Sequence, residues 1–428
     1  MNIDVDSLFF PAQAIKSEKS FFAGRKTLLQ DAVKAVNTPG VSVVLYGERG
    51  IGKTSAAWQL YDLLQGDKTL YKLWNTKPIE LRYKFKCVWV KCREYMSSTE
   101  DILLKLLMPS SERSTFYDVF PNVFNNDRFL ESIKLKFKID LKVVGAEVEN
   151  FEKAKDNFYE QAKTLLDKKV AIHSIFEEVL LEIKRQDPES EVIIFVDEID
   201  RIQEKKGLGS LIKDTDHAKF VFIGIAESLN SLIADHKSIA RKLGTSAFNM
   251  DGLTESDIRW IFTKVQHMFP NKIIFTEEFI LQVIEKSGGY PYPVQIFGHL
   301  GLTHALETTL NPPYKVTKDH FGFIVKKFLS FQEGYEEYSN LLNILNGDST
   351  FKREVLHIIA SSPYKWTPFN YIKDGLSSRG LRRFFDTNIN NLVEKDTILK
   401  YKQDDKQQVR FTDPIARIIS MLHKQEAG

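Results

Sequence analysis

Cysteine is almost missing from these 428 residues: there are two, Cys87 and Cys92. That scarcity excludes a disulfide framework and a four-cysteine zinc site. Both lie in Cys87-Val88-Trp89-Val90-Lys91-Cys92, which reads as a strand with the thiols on opposite faces, so buried thiols are expected. Long apolar runs are missing as well. No stretch approaches the roughly 18 residues that a bilayer span requires. The opening Met1-Asn2-Ile3-Asp4-Val5-Asp6 carries acids where a secretory leader carries positive charge, so a cytoplasmic location with no membrane partner is expected. Nor does charge of either sign dominate. A formal net charge of +2 gives no global pull toward nucleic acid, and any such contact must come from a local patch. Hydrophobic residues at 43% and charged residues at 27% are ordinary for a folded chain and exclude disorder. The length calls for two or three domains in series.

What is present is a strand–helix alternation. Val41-Ser42-Val43-Val44-Leu45-Tyr46 is a continuous apolar run of the kind that fills a parallel sheet covered on both faces. Ser55 to Leu64 follows as a helix and Phe85 to Lys91 as a second strand. A helix over 168–185 precedes the strand Val192-Ile193-Ile194-Phe195-Val196; Phe220 to Ile225 and Ser246 to Met250 add two more. The expected class is α/β with a parallel sheet. Between these strands, 94–167 exceeds any ordinary connection and reads as an insertion. Within it Ile133, Leu135, Phe137, Ile139, Leu141 and Val143 alternate strictly with charged residues and Gly145 follows, as in a half-exposed strand feeding a hairpin, either a partner surface or a small flanking subdomain. From Thr254 to about Lys326 the pattern is helical.

The first strand runs into Gly47-Glu48-Arg49-Gly50-Ile51-Gly52-Lys53-Thr54, followed by Ser55. A triphosphate carries several negative charges, and a glycine-rich loop opening onto a helix N-terminus meets them with backbone amides. In this pattern Lys53 reaches the β- and γ-phosphates and the Thr54 hydroxyl ligates Mg2+. The second half is Val192 to Val196 followed by Asp197-Glu198: the run of apolar residues delivers a carboxylate to the C-terminal edge of a central strand, where such sheets bind ligands. Asp197 is the expected magnesium partner, and Glu198 the residue that orients and polarises the attacking water. ATP and Mg2+ are the expected cofactors.

Together these motifs resemble the AAA+ superfamily, in particular the branch of origin-recognition-type initiators and STAND-like bacterial ATPases. Phe21-Phe22-Ala23-Gly24-Arg25 is similar to the family's segment bordering the adenine, and Ser287-Gly288-Gly289-Tyr290-Pro291 to its second sensor in STAND form. The resemblance implies a first sensor at Glu227 or Ser228. It also implies an arginine finger at Arg241, which would place active sites between subunits and make the protein a homo-oligomer. By the same resemblance Pro291 packs near the nucleotide. The implied organisation is a nucleotide-binding domain over 1–253, a helical lid over 254–345 and a winged helix-turn-helix over 346–428.

That last segment reads as three helices, Phe351 to Ala360, Pro368 to Lys373 and Ser377 to Glu394, then two strands turning at Asp404-Asp405 and a closing helix. Ser378-Arg379-Gly380-Leu381-Arg382-Arg383 opens the third helix, where cations face phosphates and base edges. Residues 350–428 hold 14 Lys and Arg against 9 Asp and Glu. Duplex DNA is one expected partner, with Lys400, Lys402 and Arg410 on the wing touching backbone. The alternative is a relay module facing a protein effector. The expected function is an oligomerising ATPase that switches a DNA- or partner-bound assembly, as initiators, transposition regulators and antiphage defence ATPases do. The alternative is a STAND-like signalling switch without DNA.

Overall fold

The computed structural model describes residues 3–11, 13–107, 115–124, 128–129, 132, 136, 172–202, 208, 211–212, 215–226, 229, 243, 245–402 and 405–426. The chain forms two compact units: one of Ile15–Glu48 and Lys53–Asp251, the other of Met1–Ala14, Arg49–Gly52 and Gly252–Gly428. Among the described residues no helix is long and apolar enough to cross a membrane.

The first unit is α/β. Its five strands are β1 (Val43–Gly47), β2 (Lys84–Lys91), β3 (Ser190–Asp197), β4 (Ala218–Ile225) and β5 (Ala247–Met250). They lie in the order β2-β3-β4-β1-β5 with every neighbour parallel. A parallel sheet needs cover on both faces, and the strands comply: Val43, Val44, Leu45, Ile193, Ile194, Phe195 and Val196 have no measurable exposure. Helix Lys26–Asn37 supplies Leu29, Ala32, Val33 and Val36 at helical spacing. Thr99–Leu107 and Ile172–Gln186 pack into the same core as β2 and β3. Cys87 and Cys92 are both buried and free, and burial pushes each thiol up to about 12, which makes them inert.

The second unit is mainly helical. Glu255–Met268 begins with a capping box, Thr254 with Asp257, and Glu277–Ser287 is capped by Thr276. Pro291–Thr308 follows, with proline in its first turn, where no amide partner is needed. Further on come Phe321–Glu333, Glu336–Asn346, Thr350–Ala360, Phe369–Ser377, Phe385–Asn390 and Pro414–Glu426. Two strands, β6 (Ile273–Phe275) and β7 (Tyr314–Val316), pair in parallel. Near the end β8 (Thr367–Pro368), β9 (Leu399–Lys402) and β10 (Asp405–Phe411) form an antiparallel sheet in the order β8-β10-β9.

Residues 1–14, where Leu8, Phe9 and Phe10 are buried, group with residues 252–428 in the helical unit. One sequence expectation changes. The third helix of the terminal segment begins at Phe385, not Ser377: Gly380 adopts φ +70° and stops the preceding helix, and a single 3-10 turn, Arg382–Phe384, leads into the next. Arg379 therefore lies outside it and pairs with Glu354 at 3.0 Å. The alternating segment 133–143 lies mostly outside the described residues.

Candidate nucleotide site

β1 ends at Gly47 and β3 at Asp197, with β4 between them, so both reach the same carboxyl edge of the sheet. Gly47 has to be glycine. Its φ is +155°, and a Cβ there would lie 2.7 Å from the Met250 carbonyl oxygen on β5. The helix Lys53–Leu64 starts directly on the motif lysine.

Lys53 is buried, and its ammonium donates to the carbonyls of Gly47 at 3.2 Å and Glu48 at 2.7 Å. The cation is thus stored on the loop's own main chain. Thr54 Oγ1 donates to Asp197, 3.1 Å from Oδ2 and 3.3 Å from Oδ1. Asp197 is 2% exposed and also accepts the Glu198 amide at 3.0 Å. Burial pushes its carboxyl up to about 6, partly offset by the Thr54 hydrogen bond, and the Glu198 charge adds to the rise. A buried carboxylate beside a hydroxyl is an all-oxygen set short of positive charge, which fits magnesium. Among the described residues no cluster of three or more His, Cys, Asp or Glu could hold a metal.

Glu198 sits in the left-handed region, φ 56° and ψ 39°, an uncommon conformation for a non-glycine residue and one often found at functional sites. Its carboxylate lies 3.0 Å from Lys91 Nζ and 2.8 Å from Arg201 Nε, the latter out of line for a hydrogen bond. Lys91 and Arg201 escaped the sequence reading. The available signal was register: Lys91 closes β2 directly beside Asp197 on β3. Asp200 has a different task, accepting the Ile225 amide at 2.7 Å and so fixing the end of β4. The Ser55 hydroxyl accepts the Ile15 amide at 3.1 Å.

The rest of the loop belongs to the helical unit. There Arg49 pairs with Glu337 and, at 3.4 Å, with Asp413, acids that the motif did not point to. A Cβ on Gly52 would lie 3.6 Å from Pro291 Cγ, and one on Gly50 would lie 3.9 Å from Ile415. Pro291 thus lies against the loop glycine. Arg241, Glu227 and Ser228 lie outside the described residues.

No protein-family model matches the chain, and no curated protein does. Among solved structures the chain is similar to Cdc6p from Pyrobaculum aerophilum: identity is 14%, 99% of each chain is covered, and the TM-score is 0.40. It is also similar to the Aeropyrum pernix Orc1 protein in complex with DNA, at 13% identity over 98% of this chain and 96% of that one, with a TM-score of 0.44. A third similarity is to the Thermotoga maritima RuvB Holliday junction branch migration motor, at 14% identity over 94% and 95%, with a TM-score of 0.39.

Proposed function

We propose that the chain is an ATP-hydrolysing P-loop protein of the AAA+ kind, which oligomerises and uses nucleotide state to switch an assembly on duplex DNA. The observation that carries the ATPase reading is the meeting of the Thr54 hydroxyl with the buried Asp197 carboxylate, one residue from the loop lysine. On this reading Lys53 leaves the Gly47 and Glu48 carbonyls for the β- and γ-phosphates, and Thr54 with Asp197 holds magnesium. When bound, that ion neutralises phosphate charge. Glu198 takes the proton of the attacking water once it exchanges a cation for it. Arg241, on the strength of the sequence resemblance, serves a neighbouring subunit and makes hydrolysis depend on assembly.

The DNA reading rests on the terminal segment as a winged helix. Arg382 and Arg383 are exposed on the turn that opens helix Phe385–Asn390, and Lys365 and Lys406 are exposed elsewhere on the same segment. A specific observation favours the alternative, a signalling switch facing a protein effector. Several cations there are already spoken for: Lys352 pairs with Asp396, Lys373 with Asp386 and Arg379 with Glu354, while Arg410 stacks over Trp366 at 4.5 Å.

Duplex binding measured between about 50 and 200 mM salt, alongside ATP turnover and particle size with and without ATP, separates these readings. Steep salt dependence with turnover in an ATP-dependent oligomer is the expected result. Turnover without any duplex binding leaves the signalling switch, and no ATP binding removes both.

A further inference from the structure

Within the helical unit, the loop between helix Thr350–Ala360 and β8, residues 361–366, is tied down at both ends. Ser362 is 1% exposed and its hydroxyl accepts the Tyr364 amide at 3.2 Å; Thr367, in β8, is also 1% exposed. Trp366 is held under the Arg410 guanidinium, 4.5 Å from its ring centre, beside the Thr367–Val409 pair of β8 and β10. Arg417 donates to the Ala360 carbonyl at 3.1 Å and to the Ser362 carbonyl at 2.8 Å, and Lys424 reaches the Ser361 hydroxyl at 3.5 Å. A loop fixed this closely could have buried its aromatic side chain. Instead Tyr364 is 50% exposed.

Its ring meets that of Tyr371, 37% exposed on helix Phe369–Ser377, edge to face with centres 5.5 Å apart. Single exposed aromatics are ordinary, but two in contact and bordered by cations are not. Lys365 is exposed next to Tyr364. Elsewhere in the segment Lys352, Lys373 and Arg379 each face an acid; among the described residues Lys365, Arg417 and Lys424 do not. Asp374 follows Tyr371 by one turn and limits the positive area on that side. Closing off a helix end accounts for Arg417, which meets the last carbonyls of Thr350–Ala360. It does not account for two adjoining phenol rings at the surface with a lysine beside them.

From this placement we infer that Tyr364 and Tyr371, with Lys365 and the cations at the base of the loop, form a binding site for single-stranded nucleic acid. The rings stack on unpaired bases, and Lys365, Arg417 and Lys424 meet the backbone. Paired bases are already stacked on one another and offer a protein only their edges, whereas an unpaired base offers a face that any aromatic ring can take. The inference extends the nucleic-acid reading of this segment to another form of the ligand, at residues other than the Arg382–Phe384 turn, and it does not depend on duplex binding.

The test uses the full chain and three fluorescent probes: an oligothymidine of about 16 nucleotides, a blunt duplex of the same length and a polyglutamate peptide. Tyr364→Ala with Tyr371→Ala is compared with Tyr364→Phe with Tyr371→Phe, after thermal midpoints have shown both to be folded. The alanine pair is expected to weaken oligothymidine binding by about 10- to 100-fold and to move duplex affinity by less than about twofold, while the phenylalanine pair stays within about threefold of the wild type. Should the alanine pair not fold, Lys365→Glu probes the same surface, with about a tenfold loss on oligothymidine expected at low salt. Equal losses on oligothymidine and duplex, or no loss on oligothymidine in these variants, overturn the inference. So does a wild type that ignores oligothymidine, and duplex binding then leaves the earlier reading standing. Polyglutamate bound more tightly than oligothymidine, and lost in the alanine pair, gives the surface to an acidic protein instead. Oligothymidine binding without duplex binding supports this site and removes the duplex reading.

Discussion

The α/β unit and the helical unit handle charge in opposite ways. In the first, the decisive groups are inside: Lys53 and Asp197 are buried, and the acid is displaced from its ordinary range by burial. In the second, most cations stand at the surface, several already facing an acid. Buried charges interact strongly and are screened little by salt, whereas exposed ones contribute about 1 kcal/mol or less each and fade as salt rises. One unit is therefore suited to chemistry on a small anion, the other to additive contact with a large one. Breaking the first arrangement is expected to abolish a step; breaking the second, to weaken an affinity.

The largest effect is expected from Glu198→Gln. Turnover should fall by about two to four powers of ten with ATP affinity preserved, measured by phosphate release and by equilibrium binding; parallel loss of both would remove Glu198 from its role. Lys53→Ala is expected to weaken ATP binding by about 10- to 100-fold, since a charge-assisted contact to phosphate is lost. Unchanged affinity there would end the nucleotide reading.

Next in size is a test of whether burial governs the helical unit too. His357 is 4% exposed and lies 3.3 Å from His423, which in turn meets Asn346 at 3.0 Å. Burial first, then the charges of His423, Lys424, Arg353 and Arg379, lower its pKa from 6.5 to about 4. Because the folded value is depressed, the unfolded chain binds the extra proton. Stability is fully present above pH 6.5 and is lost as pH falls toward 4, by about 2 kcal/mol at pH 5. Denaturant midpoints between pH 7 and 5 should show that drop, and His357→Leu should flatten it. A slope unchanged in the variant would place the effect elsewhere. Arg382→Ala with Arg383→Ala is expected to cost duplex affinity about tenfold at low salt and to lower the salt slope by about two, and no change in slope would remove this turn from the interface.

How much of this was legible in sequence depended on whether a signal was local. β1 and β3 were readable because buried parallel strands need unbroken apolar runs, and the loop because its glycines and lysine follow one another closely in the chain. The burial of the N-terminal segment was not. Leu8-Phe9-Phe10 has no period, and its complement is an absent side chain at Gly298, far along the chain. The third terminal helix was placed too early because helical spacing of apolar residues persists through Gly380, while the backbone conformation that stops it is set by one residue. Lys91 was passed over as the charged end of an apolar strand, since only pairing with β3 brings it to Glu198.

Lys91 also gives the smallest expected effect, and it probes the boundary between the two treatments of charge. The side chains of Lys91 and Glu198 are 44% and 25% exposed, so their pairing is a partly solvated one. Such a pair contributes roughly 1 kcal/mol at most, equivalent to a few-fold change in a rate. Glu198 can accept a proton from water only when its carboxylate turns away from a cation, and Arg201 remains beside it when Lys91 is removed. Lys91→Ala is therefore expected to raise turnover by about two- to fivefold with ATP affinity unchanged, the gain shrinking as salt screens the pair in the wild type. Lys91→Arg keeps the charge and should stay near the wild-type rate. A fall in turnover with Lys91→Ala, restored by Lys91→Arg, would instead make Lys91 a positioning residue that the reaction needs. The edge of the sheet would then act as one electrostatic unit with the buried acid rather than as its restraint.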